Sequence, residues 1–227
     1  MDRKELYLNV RKAYRLVYEV QDSIIDMVEY IREKILHEDC AGKQLFSDAI
    51  AKRKNVSKGY VTDNIGMGMW SWDYFPTFMY MYYFTGISTV TQCSSFSIVQ
   101  VMDDGFISAF NKNNPPSTRD FRGITDSESY FLLAYSIWEI DQRPIWFEYN
   151  GTEPIDDEMG EIMRISEEIE KKNNHPYIVK TDNGDRCFIV KKISAESLGS
   201  KAEVDRVLQD FAKLVLDKTG YQLLVEE

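Results

Sequence analysis

Cysteine and histidine are scarce in this chain of 227 residues, and the scarcity closes several kinds of chemistry at once. The three cysteines, Cys40, Cys93 and Cys187, are odd in number, scattered and outside CxxC spacing. That argues against a disulfide framework and fits a reducing compartment. The two histidines, His37 and His175, each fall near a predicted helix end. His37 is close enough to Cys40 to approach it, but two ligands are too few for zinc. No G-x-S-x-G elbow of a serine hydrolase and no phosphate-binding P-loop occur. Gly66 and Gly68 form a G-x-G without the third glycine, the preceding strand or the following helix of a dinucleotide fingerprint, so they read as a turn. Cation excess is missing too. With a formal net charge of −10, any contact with nucleic acid or an anionic membrane must be local. The polar start MDRKELYLNV lacks the apolar core of a signal peptide, which together with the cysteine usage predicts a cytoplasmic protein.

One absence points the other way. Between Asp73 and Asp103 no residue is charged, a length that would cross a bilayer. The stretch nevertheless holds Pro76, Gly86 and many Ser, Thr and Gln residues, so a buried hairpin accounts for it better and no membrane partner is expected.

What is present suits a packed core: 44% hydrophobic and 13% aromatic residues exclude global disorder. Residues 3–38 contain neither proline nor glycine and read as one helix. Leu6, Val10, Ala13, Val17, Val20, Ile24, Met27 and Ile31 alternate spacings of four and three, the a/d seam of a heptad pattern. Tyr14, Tyr18, Ile25 and Val28 widen it. At 1.5 Å per residue such a helix runs about 54 Å, more than a small domain needs. It therefore lies across the whole fold or pairs with another chain.

Residues 42–66 suggest two short helices broken near Asn55. Phe78–Phe84 and Val90–Met102 read as strands joined at Thr85-Gly86. A polar loop follows from Asp103 to Glu128. Tyr130–Ile140 is apolar at odd and even positions alike, as in a central strand covered on both faces. A turn at Asp141-Gln142-Arg143 leads to Pro144–Tyr149. A helix over Asp156–Lys172 precedes a hairpin, Tyr177–Lys180 and Arg186–Lys191, about Asn183-Gly184. Ser200 and Glu203 form a capping box for a last helix that stops before Gly220. The order implies a single α+β domain over 1–227: a long amphipathic helix (1–40), a helical pair (42–66), a strand-rich part (70–150) and a helix-hairpin-helix part (151–227). Helices should pack on one face of a mainly antiparallel sheet.

Three features carry functional readings. Ile50–Ile65 resembles the core of a helix-turn-helix unit: Ala51 at the contact, Asn55 at the turn, Val56 and Val61 buried, and Ser57 capping the second helix. Gly59 departs from that pattern. Lys52, Arg53, Lys54 and Lys58 would then meet phosphates. In the dense aromatic run from Trp70 to Phe84, alternate members fill the core, while Trp70 and Trp72 are the expected exposed interaction residues. Finally, Asp103 and Asp104 follow a strand and Glu139 ends the next, a partial Mg²⁺-dependent nuclease constellation without the expected lysine. Lys191 is a distant substitute, and the E-x-K matches within Glu167–Lys172 read as a solvated helix face. Weighed together, these features favour a non-catalytic interaction or regulatory protein that self-associates through its first helix, with no cofactor. A nucleic-acid-binding regulator and a Mg²⁺ nuclease are the alternatives.

Overall fold

The seam of the first helix divides into two parts in the structure, a computed structural model that describes residues 2–44, 60–62, 79–86, 89–106, 121–140, 155–180 and 186–225. Helix α1 spans Arg3–Lys34. It stops because Ile35 turns extended and forms an isolated bridge with Leu224, while Arg32 and Lys34 suit the negative end of the helix dipole. Its buried residues are Gln21, Ile24, Ile25, Val28 and Ile31, all in the second half.

Seven strands form one sheet in the order β2-β1-β3-β4-β5-β7-β6. They are β1 (Asp39–Gln44), β2 (Tyr60–Thr62), β3 (Met79–Thr85), β4 (Gln92–Val101), β5 (Tyr130–Glu139), β6 (Tyr177–Lys180) and β7 (Cys187–Ser194). Every pairing is antiparallel. The described part of the charge-free stretch pairs as β3 with β4 at the centre of the sheet, and Gly86 allows their close approach: a Cβ there would sit 2.0 Å from Ser94 Oγ. Among the described residues no helix is long and apolar enough to cross a membrane.

Side chains alternate across this sheet as the period of two demands. Tyr80, Tyr82, Phe84, Phe96, Ile98, Leu133 and Ile189 point to one face, under α1 and the last helix α3 (Lys201–Thr219). Met79, Met81, Val99, Leu132 and Val190 point to the other, under α2 (Ile155–Lys171), which supplies Ile162, Met163, Ile165 and Ile169. The α+β class is as expected, but helices cover both faces rather than one. This is why β5 is apolar throughout. The aromatic run, where described, fills the core in alternation.

The helical pair over 42–66 is corrected in its described parts. Residues 39–44 pair with β3 over six positions, and Tyr60–Thr62 pairs with β1. Glycine has low helix propensity at position 59, and Tyr60-Val61-Thr62 combines aromatic and β-branched residues that favour a strand. The second helix of the helix-turn-helix resemblance is therefore not formed at these residues.

Helix α3 begins as its capping box requires: Glu203 N–H donates to Ser200 Oγ at 3.3 Å. It ends at Gly220, which adopts φ +77° and donates its N–H to Leu216 O.

Candidate functional site

Among the described residues, the first half of α1 is the most unusual surface. On this stretch Leu6, Val10, Val17 and Val20 remain between 38% and 40% exposed, and Leu8 and Leu16 more so. Heptad steps lead from Val10 and Val17 directly to Ile24 and Ile31, which are buried against the sheet. Along one heptad line, therefore, Ile24 and Ile31 pack within the chain, whereas Val10 and Val17 stay exposed.

A closed ring of hydrogen bonds marks the point of divergence. Gln21 Nε2 donates to the Tyr82 hydroxyl at 3.0 Å, which donates to Gln100 Oε1 at 3.1 Å. Gln100 Nε2 donates back to Gln21 Oε1 at 2.9 Å. All three residues are buried, so this polar ring fixes the rotation and axial position of α1 on β3 and β4.

The second constellation is a charged corner at the end of β4. Asp104 is 3% exposed, and its Oδ2 pairs with Arg122 Nη2 at 2.5 Å. Its Oδ1 accepts the Glu128 N–H at 2.8 Å. Asp103 only closes a local turn, accepting the Gly105 N–H. Lys192, whose side chain is 7% exposed, donates to Glu128 and Glu170 at 2.9 Å each, with its ammonium 4.1 Å from the centre of the Tyr130 ring. Burial pulls the Lys192 ammonium down, but the hydrogen bonds and charges of Glu170 and Glu128 outweigh it and hold it above its usual value. Arg122 is likewise raised, chiefly by its hydrogen bond to Asp104. Burial pushes the Tyr130 phenol far up, so it stays neutral.

The carboxylates of Asp104, Glu128 and Glu170 lie within 4.8 Å of one another. Two of them already hold the Lys192 ammonium and the third holds Arg122, so the corner works first as an ionic tie between the loop ends, β7 and α2.

The expected nuclease trio does not assemble. Glu139 pairs with Gln92 at the start of β4, whereas Asp103 and Asp104 follow its end. Nine strand residues, about 30 Å, separate them. The lysine near Asp104 is Lys192 rather than Lys191, because only alternate residues of β7 face α2. Glu170 also belongs to this corner rather than to a purely solvated face. A lysine at a core-facing strand position requires an acidic partner, and that was the signal available in the sequence. Lys52, Arg53, Lys54, Lys58, Trp70 and Trp72 lie outside the described residues. His37 stacks edge-on against Phe84, and the three cysteines are free thiols.

The fold and these surfaces define an antiparallel sheet protein, helix-covered on both faces, with a helix that extends past its packed part. A family model described as PM0109 matches residues 1–220, and the chain belongs to that family. No curated protein and no solved structure matches it.

Proposed function

We propose that this is a non-catalytic, cytoplasmic interaction or regulatory protein that self-associates through the first half of α1. The observation that carries the reading is the continuity of the seam: Val10 and Val17 are exposed on the face that buries Ile24 and Ile31. A row of apolar residues at heptad spacing left in water is a surface made for another helix. The family match begins at residue 1 and so includes this stretch. The ion-paired corner contributes to the fold and is assigned no chemistry.

Light scattering of the full chain over a dilution series tests the reading. The wild type should show at least twice the chain mass, and Val10→Glu with Val17→Glu should show one chain mass at unchanged helix content. A strictly monomeric wild type refutes it. The alternatives give different signatures: a salt-sensitive duplex shift lost on changing Arg53 and Lys58, or EDTA-sensitive nucleic-acid cleavage.

A further inference from the structure

The structure also constrains how two copies would meet, a deduction that rests on the self-association reading. From Gln21 onward the seam side of α1 is occupied by its own sheet, through Gln21 to Tyr82 and through Ile24, Val28 and Ile31 to the core. A partner helix lying parallel on Arg3–Val20 would continue, past its own residue 20, into that occupied space. An antiparallel helix would not, because its packed half would lie beyond Arg3, on the far side of the free end. We propose that the protein forms a two-fold dimer through antiparallel pairing of Arg3–Val20, with the two sheets at opposite ends of the joint.

The buried stretch sets the register. Residue 20 is the last free seam position and residue 3 the first helical one, so full overlap brings Arg3 to the partner's Val20. The same alignment places Leu6 opposite the partner's Val17 and Val10 opposite the partner's Ala13. The Leu6 and Val10 layers each join an a position to a d position with apolar residues on both sides, and the Arg3 layer closes the end. A two-fold axis between Arg11 and Lys12 makes the contact isologous, the commonest closed arrangement for identical chains.

Charge placement agrees. The positions flanking the seam are Tyr7, Asn9, Tyr14 and Leu16, none of them charged, so no charge is buried beside it. Lys4, Arg11, Lys12 and Arg15 sit on the outer positions. The paired stretch is about 27 Å long, and that length sets the gap between the two sheets.

Crosslinking distinguishes this arrangement from its rivals. In a Cys93→Ser background, where the remaining Cys40 and Cys187 are buried, Leu6→Cys protein and Val17→Cys protein are treated with a short bis-maleimide, separately and mixed. The proposal expects a covalent dimer in the mixture and none from either protein alone, because like positions would be about 16 Å apart along the axis. Each variant crosslinking to itself, with a dimeric mass by light scattering, would overturn the antiparallel arrangement and leave self-association standing. A monomeric mass for wild type and both variants would overturn both. In that case slow alkylation of Val17→Cys would identify cover by the protein's own chain, and rapid alkylation a seam left for a different partner.

Discussion

Replacing Tyr82 by Phe removes one oxygen atom from the ring that joins α1 to the sheet. That hydroxyl accepts from Gln21 and donates to Gln100, so its loss strands one amide N–H and one amide oxygen inside the core. A buried polar group without a partner costs about 1–3 kcal/mol. With some relaxation the variant should lose about 2–4 kcal/mol, which for a chain of this size lowers Tm by roughly 5–15 °C. Gln21→Leu and Gln100→Leu should cost similar amounts, because each leaves partners behind. The triple variant, Gln21→Leu, Tyr82→Phe and Gln100→Leu, leaves none and should recover most of the loss. Urea denaturation with a common m-value is the assay, read as the midpoint of each variant. If the three single losses simply add in the triple variant, the ring does not act as a unit. A neutral Tyr82→Phe would refute the reasoning outright.

Three further outcomes are expected. Lys192→Met leaves Glu128 and Glu170 facing each other without their shared cation; because both carboxylates still reach water, the loss should be about 1–2 kcal/mol by urea midpoint. Alkaline titration should destabilise the fold. Burial, against a weaker opposing hydrogen bond from Ser94, pushes the Tyr135 phenol from its ordinary 10.0 up to about 12, and Lys192 is also held above its usual value. Both groups keep in the folded state a proton that the unfolded chain releases. Their stabilisation is therefore complete below about pH 10 and falls as the pH rises through the folded values, by on the order of 2–3 kcal/mol for Tyr135. Tyr135→Phe should flatten that fall in a series of urea midpoints, and an unchanged slope would refute the assignment. Gly220→Ala should lose about 1 kcal/mol, since the position needs φ +77° although nothing lies within 4 Å of an added Cβ.

The elements with strong periodicity were legible in the sequence. The heptad pattern located α1, the capping box and Gly220 bounded α3, and apolar runs marked β3, β4 and β5 to within a residue or two. Strand β1 was not legible. Asp39-Cys40-Ala41-Gly42-Lys43-Gln44 has no alternation and includes a glycine, and its conformation comes from the ladder it forms with β3. The charged corner escaped for a related reason: Asp104, Arg122, Glu128, Glu170 and Lys192 are scattered along the chain and converge only through β5–β7 pairing and the seat of α2. Glu139 was misplaced because sequence order shows that it follows a strand without showing which end of the sheet that strand reaches. The seam was visible from the start, but where its buried half begins depends on the length of β3 and β4 beneath it.

The root of α1 has a consequence for how the chain is made. Ile35 bridges Leu224, the Val225 N–H donates to Lys34 O, and the Tyr30 hydroxyl holds Asp205 across a separation of 175 residues. The first of these elements to leave the ribosome is thus seated by the last. Until α3 and the residues after it emerge, the half of α1 destined for the core has an incomplete seat, and its whole apolar face is available to bind elsewhere. Synthesis should therefore be the period of greatest aggregation risk for this chain, and a nascent chain stalled before residue 200 should recruit chaperones that the finished protein does not.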